Sequence, residues 1–150
     1  DEAEWDRVVD TNLKGAWLVG RAVAKRMIAR DRGGSIINTG SVLAFKVQKG
    51  TMPYGVSKAG LVQMTRMLAV EWARYGIRVN AIAPGYIETD INRKFLQSGA
   101  GQAMVKAIPQ RRFGEPEDLE GVVLLLAGDA SSYITGALIP VDGGHTLMLA

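Results

Sequence analysis

The chain has 150 residues, 47% of them hydrophobic and 22% charged, a balance too apolar for disorder and sufficient for one buried core. Eighteen Lys and Arg stand against fifteen Asp and Glu for a net charge of +3, interspersed rather than gathered into a basic stripe, which argues against a nucleic-acid partner. With no cysteine and a single histidine, His145, the composition excludes disulfides, thiolate zinc sites, a cysteine nucleophile and a multi-histidine cluster, and no metal site is expected.

The longest apolar run, Val122 to Ala127, is far too short to cross a membrane, and no signal peptide is visible, so a globular cytoplasmic protein is the expectation. Asp1 leads straight into a helical pattern with no initiator Met and no strand before it, which suggests that an N-terminal part precedes these residues. Apolar or small residues at Trp5, Val8, Val9, Leu13, Ala16, Trp17, Gly20, Val23, Ala24 and Met27 predict one buried stripe on a long helix, stopped by Gly33-Gly34. Ser35 to Thr39, short and β-branched between glycines, reads as a buried strand. After a loop to about Thr51, a second long helix runs from Met52 to about Tyr75. It carries Tyr54, Lys58, Leu61, Val62, Thr65, Leu68, Ala69 and Trp72 on one face, and Gly76 closes it. Ile77 to Ala83 follows as a strand, ended by the Pro84-Gly85 turn. Tyr86 to Gly114 is weakly periodic, with a short helix near Gln102 to Ala107, and has the length of a lid. Pro116 begins a helix whose N-terminus gains from Glu115, Glu117 and Asp118 and whose body is Leu119 to Ala127. Ala137 to Val141 is the last strand.

Strands alternating with long helices imply right-handed crossovers and a parallel sheet covered on both faces, so the class is α/β, with residues 1–150 as a single partial domain. In such sheets chemistry gathers beyond the carboxyl ends of the strands, where Ser41 and Pro84-Gly85 fall.

Tyr54 and Lys58, four apart on the second helix, share a face continuous with its apolar stripe. A tyrosine phenol ordinarily loses its proton near pH 10, and an ammonium about 4 Å away contributes roughly 4 kcal/mol towards ionisation at an effective dielectric of about 20. The pair has the makings of a general acid and base. Ser41, thirteen residues upstream, would reach the same substrate oxygen if the loop folds the helix start back over the strand. Asn12 sits on the stripe of the first helix, where an amide is costly unless bonded. Taken singly, these residues read as a surface contact, a cap, a structural amide and a turn. Their conjunction points to chemistry.

That conjunction resembles the short-chain dehydrogenase/reductase family. Tyr54-Gly55-Val56-Ser57-Lys58 is similar to its Tyr-x-x-x-Lys signature, Ser41 stands at the family's offset, and Asn12 in Asn-Leu-Lys-Gly matches the tetrad asparagine. Arg78 to Gly85 with Thr89, Arg112 to Asp118, and Ile134 to Gly136 through Val141 to Gly144 match further segments. The resemblance implies the C-terminal, catalytic and substrate-facing part of a doubly wound parallel-sheet Rossmann fold. It implies that Tyr54 exchanges a proton with a small-molecule carbonyl or alcohol, that Lys58 favours the ionised phenol and binds the nicotinamide ribose, and that Ser41 holds the substrate oxygen. Asn12 would help place a water beside Lys58. Tyr54, Lys58, Pro84, Gly85, Ile87 and Thr89 would hold NAD or NADP, to which the hydride transfer belongs. A homotetramer or homodimer is implied as well. The family's opening strand, glycine-rich turn and helix have no counterpart, since no G-x-G-x-x-G occurs. The N-terminal nucleotide-binding part, with the residue that selects NAD or NADP, is therefore absent from these residues, and the first strand is expected to leave an unpaired apolar edge.

The leading expectation is an NAD(P)-dependent oxidoreductase that interconverts a secondary alcohol and a ketone, resembling 3-oxoacyl-carrier-protein reductases and sugar or polyol dehydrogenases about equally. Its competitor is a catalytically silent fragment or self-association module lacking the cofactor-binding half. A serine hydrolase built on Ser41 and His145 lacks the G-x-S-x-G elbow. The apolar tail Thr146 to Ala150 reads as core packing or as a buried subunit contact.

Overall fold

The computed structural model describes residues 1–148. Asp1 accepts from the Glu4 amide at 2.8 Å and so caps α1 (Glu2–Val9). Periodicity predicts one unbroken helix from here. Instead, Asp10–Lys14 is wound as a π-helix, with the Gly15 amide donating to Asp10 O, before α2 (Gly15–Ala29) begins. In α2 only Gly20 and Ala24 are buried, and Trp17 and Val23 stay exposed. The remaining helices are α3 (Met52–Trp72), α4 (Arg93–Leu96), α5 (Gly99–Val105) and α6 (Glu120–Ala127). α3 passes through a short turn at Ala73–Tyr75 into Gly76, whose φ of 68° is the left-handed conformation that turns the chain into the next strand.

Three strands, β1 (Gly34–Thr39), β2 (Ile77–Pro84) and β3 (Leu138–Val141), form a parallel sheet in the order β1-β2-β3. Gly34 lies opposite Ile77, and Pro84 opposite Val141. The α/β class is as expected, and each strand matches its predicted span to within one residue at either end. β2 is central, so it is apolar or small on both faces, with Ile77, Val79, Ala81, Ile82 and Ala83 all buried. On one face Ala24 of α2 and Leu68 and Ala69 of α3 close over Ile77 and Val79, with Met27, Ile36, Met64 and Trp72 around them. Each fully buried aliphatic side chain there contributes about 1.5–3 kcal/mol. On the other face Arg78 donates to the Leu126 and Gly128 carbonyls at 2.9 and 3.1 Å, and Ser35 Oγ donates to Leu126 O at 2.7 Å, tying the end of α6 to the sheet. Asn80, fully buried, donates to Ile134 O at 2.9 Å and accepts from the Ala137 amide at 3.0 Å, and with the Gly136 amide donating to Val79 O at 2.8 Å it fastens the approach to β3.

The stretch from Tyr86 to Gly114 holds two short helices, α4 and α5, and is closed at its base. Ile87 bridges Gly114, the Glu88 amide donates to Gly114 O at 2.8 Å, and the Gly114 amide donates to Tyr86 O at 2.9 Å. Beyond it, Arg112 makes two hydrogen bonds to Asp118, whose carboxylate also accepts from the Glu115 amide in a capping box that starts the turn Pro116–Leu119. Among the described residues β1 pairs with β2 alone, and its other side borders a groove of about 480 Å³ shared with Thr11, Val19 and Val23. No helix of the described residues is long and apolar enough to cross a membrane. Of the tail, Leu147 and Met148 are exposed and so do not enter the core, while Leu149 and Ala150 lie outside the described residues.

Candidate active site

β1 ends at Thr39, and two residues later Ser41 is buried as the cap of the turn Val42–Ala44, its Oγ accepting from the Leu43 amide at 3.1 Å. No hydrogen bond joins it to His145 among the described residues. α3 starts with Pro53 in its first turn and no side-chain cap, and Thr51 Oγ1 donates to Gln48 O at 2.9 Å. Tyr54 lies in that turn, 37% exposed. Its side chain, Ser41 and Gly85 from the end of β2 line one cavity of about 480 Å³, together with Gln48, Tyr86 and His145.

Lys58, one turn further along α3, donates from Nζ to Thr39 O at 2.8 Å, and this holds the ammonium 5.6 Å from the centroid of the Tyr54 ring. Burial penalises the charge and pulls Lys58 below the ordinary ammonium range. An ammonium has three N–H donors, so two remain beyond the one spent on Thr39. Asn12 stands on the π turn. Its Nδ2 donates to Ser57 Oγ at 3.1 Å, and that hydroxyl donates to Tyr54 O at 2.7 Å. The costly amide is thus met by a side chain of α3. The four tetrad candidates divide into two pairs: Ser41 and Tyr54 border the cavity, and Asn12 and Lys58 border the groove beside β1. The turn from Tyr54 to Lys58 joins them.

The expected cofactor residues are spread along the loop after β2. Pro84 ends the strand, and the Gly85 amide donates to Val141 O at 2.9 Å. Ile87 lines a neighbouring cavity of about 380 Å³ with Arg112, Asp118 and Asp142. Thr89 is exposed. Its amide donates to Asn92 Oδ1 at 2.8 Å and Asn92 Nδ2 donates to Ile87 O at 2.8 Å, so one asparagine shapes the loop. Gly85 therefore joins Ser41 and Tyr54, whereas Ile87 and Thr89 stand outside that cavity.

Sequence reasoning passes over Ser57, Gln48 and Tyr86. Ser57 is fully buried on the face continued by Leu61, Thr65 and Leu68, and its four-residue spacing from Leu61 is the signal that marks it. Tyr86 donates to Gln48 Oε1 at 3.0 Å and lies against His145, with ring centroids 5.4 Å apart, and burial holds its phenol above the ordinary range. No local pattern announces that group, because its members come from three separate segments.

A parallel sheet with helices on both faces and a Tyr–Lys turn beyond the carboxyl end of its strands define a Rossmann-like α/β fold. The chain belongs to the short-chain dehydrogenase/reductase family: the family model described as enoyl-(acyl carrier protein) reductase matches residues 1–146. The chain is 46% identical over 143 residues to the 3-oxoacyl-(acyl-carrier-protein) reductase of Thermotoga maritima, covering 95% of this chain and 57% of that protein. It is 41% identical over 146 residues to the NAD-dependent glycerol dehydrogenase of Listeria innocua, covering 97% of this chain and 57% of that one. The crystal structure of a gluconate 5-dehydrogenase from Burkholderia cenocepacia, in complex with NADP and tartrate, is similar with a TM-score of 0.94 at 36% identity, covering 99% of this chain and 58% of that one. The chain thus spans 57–58% of the length of these three relatives.

Proposed function

We propose that these residues are the catalytic and substrate-facing part of an NAD(P)-dependent oxidoreductase that interconverts a secondary alcohol and a ketone, working with a nucleotide-binding part of the same fold. The observation that carries the reading is the Lys58 ammonium, held by Thr39 O at 2.8 Å and placed 5.6 Å from the centre of the Tyr54 ring, whose side chain shares a cavity with Ser41. On this reading the Tyr54 phenol gives a proton to the substrate oxygen in reduction and takes it back in oxidation. Ser41 bonds the same oxygen.

The cofactor, NAD or NADP, supplies the hydride when bound. The donor set fits such a group: Lys58 keeps two N–H donors for ribose hydroxyls, Pro84, Gly85 and Ile87 offer backbone groups, and Thr89 offers an exposed hydroxyl. Either cofactor is consistent with the relatives, one named as NAD-dependent and one seen with NADP. The substrate on this reading is a small carbonyl or alcohol, and the protein is a cytoplasmic homotetramer or homodimer. Support for assembly comes from apolar side chains left open on the helices, with Val70 80%, Met67 55% and Trp17 40% exposed. Elution as a monomer refutes that part.

The test is Tyr54→Phe in the protein with its nucleotide-binding part present, assayed with NADH and NADPH over a panel of carbonyls. Turnover is expected to fall at least about a hundredfold while the variant keeps the parental circular dichroism and still binds a cofactor saturably. Near-parental turnover overturns the reading, and a failure to bind either cofactor saturably supports the silent module instead.

A further inference from the structure

The first turn of α3 is held in an unusual way. A helix start leaves several backbone amides without partners, and the residue in the cap position normally satisfies one of them. Here the Thr51 hydroxyl donates to Gln48 O and caps none of them. The turn that carries Tyr54 is also fastened from the side. Ser57, fully buried, donates to the Tyr54 carbonyl at 2.7 Å and accepts from Asn12 Nδ2 at 3.1 Å, across 45 residues of sequence. One hydroxyl thereby uses its proton on the Tyr54 backbone and a lone pair on the amide of another helix.

The Asn12 end of this chain of bonds is built with equal care. Asn12 is presented by the π-helical turn Asp10–Lys14, and the next residue, Leu13, lies so close over Gly60 that a Cβ there would stand 2.9 Å from Leu13 Cδ2. The π turn therefore meets α3 at two points one turn apart, Asn12 on Ser57 and Leu13 on Gly60. In an unbroken α-helix the residues after Asp10 would be rotated relative to those before it, and the two contacts would not form together with the packing of α1 and α2.

We propose that Ser57 is a positioning residue that transmits the placement of the π turn to the backbone of Tyr54, and so sets the phenol against Ser41 in the cavity and against the Lys58 ammonium. The inference rests on the reading of Tyr54 as the acid and base. Asn12 acts through Ser57, and its side chain is engaged there rather than on Lys58. Beside the backbone bonds of the helix and the reach of Lys58 to Thr39 O, the Ser57 bridge ties the Tyr54 turn to the π turn.

The test is a double-mutant cycle of Ser57→Ala and Asn12→Ala, with Tyr54→Phe alongside, in the protein with its nucleotide-binding part present. Each single change is expected to lower kcat about tenfold or more, since a displacement of about 1 Å costs up to about a hundredfold, with KM for the cofactor within about twofold. The double variant is expected to fall no lower than the worse single, because both remove the same bridge. Additive losses, or a lowered Tm with kcat as in the parent, overturn the positioning role. Should Ser57→Ala fail to fold, Asn12→Ala at its half-buried site decides alone: a lowered kcat with the cofactor KM unchanged supports the bridge and a parental kcat refutes it. Parental turnover in Tyr54→Phe refutes the catalytic reading itself, whereas inactive Tyr54→Phe beside parent-like Ser57→Ala refutes only the bridge.

Discussion

Replacing Gly85 by alanine probes the fit of the two strand ends that wall the Tyr54 cavity. The added Cβ would stand 2.8 Å from Asp142 Cβ and 2.9 Å from Asp142 Cα, and the second of these is backbone that cannot rotate away. Carbon contacts are most favourable from about 3.5 Å, so the ends of β2 and β3 must part by about 0.6 Å. The bond from the Gly85 amide to Val141 O, 2.9 Å in the parent, then reaches the limit of hydrogen bonding. Losing it costs about 1 kcal/mol and the overpacking about 1–3 kcal/mol more, for a total of about 2–4 kcal/mol. Gly121→Ala is the matched control. That position lies in α6 with nothing within 4 Å of an added Cβ, and it is expected to gain up to about 1 kcal/mol through helix propensity and a more restricted unfolded chain. Urea unfolding followed by circular dichroism gives both values on one scale. A Gly85→Ala protein within about 0.5 kcal/mol of the parent, or one that shifts in the same direction as Gly121→Ala, refutes the reasoning.

Asn80→Ala leaves the Ala137 amide without its partner and removes one of the two donors to Ile134 O, beside a fully buried strand position, and is expected to lower stability by about 1–3 kcal/mol; an unchanged Tm contradicts the assignment of both bonds. The Arg112 guanidinium, helped by the Glu115 amide, holds the Asp118 carboxyl well below the usual carboxylate range. Its contribution is therefore complete above that range and is lost as pH falls through and below it, so calorimetry between about pH 2 and pH 6 should give a steeper acid loss of Tm for the parent than for Asp118→Asn. Coincident slopes remove the ion pair from the account. Lys58 is displaced in the opposite sense for a cation: burial lowers it from 10.5, so the unfolded chain binds more protons than the folded one just below that value. The stability of the parent relative to Lys58→Met should rise as pH climbs towards 10.5, and parallel denaturation curves at neutral and alkaline pH would show that burial does not penalise the charge.

The Tyr54–Lys58 pair was legible because it is local. Tyr54 and Lys58 are separated by one helical turn, and a turn of α-helix places them on one face whatever surrounds it. The strands were legible for the same reason: β2 announces itself by buried small and β-branched residues bounded by Gly76 and by Pro84-Gly85, and the two-residue and 3.6-residue periods are properties of neighbouring residues. The loop after β2 was read as one short helix because its order depends on bonds such as those of Asn92 to Ile87 and Thr89, which are invisible in composition.

What the amino-acid sequence determined by itself was the α/β class, the order of the elements, the buried face of α3 and the Tyr54–Lys58 turn at its start, since each follows from residues within a few positions of one another. What only the tertiary structure decided was the π turn at Asp10–Lys14, the partnership of Asn12 with Ser57, and the meeting of Gln48, Tyr86 and His145 in the wall of the cavity. These depend on contacts between segments far apart in the chain, whose energies outweigh local preference by the few kcal/mol that a packed contact or a buried hydrogen bond supplies.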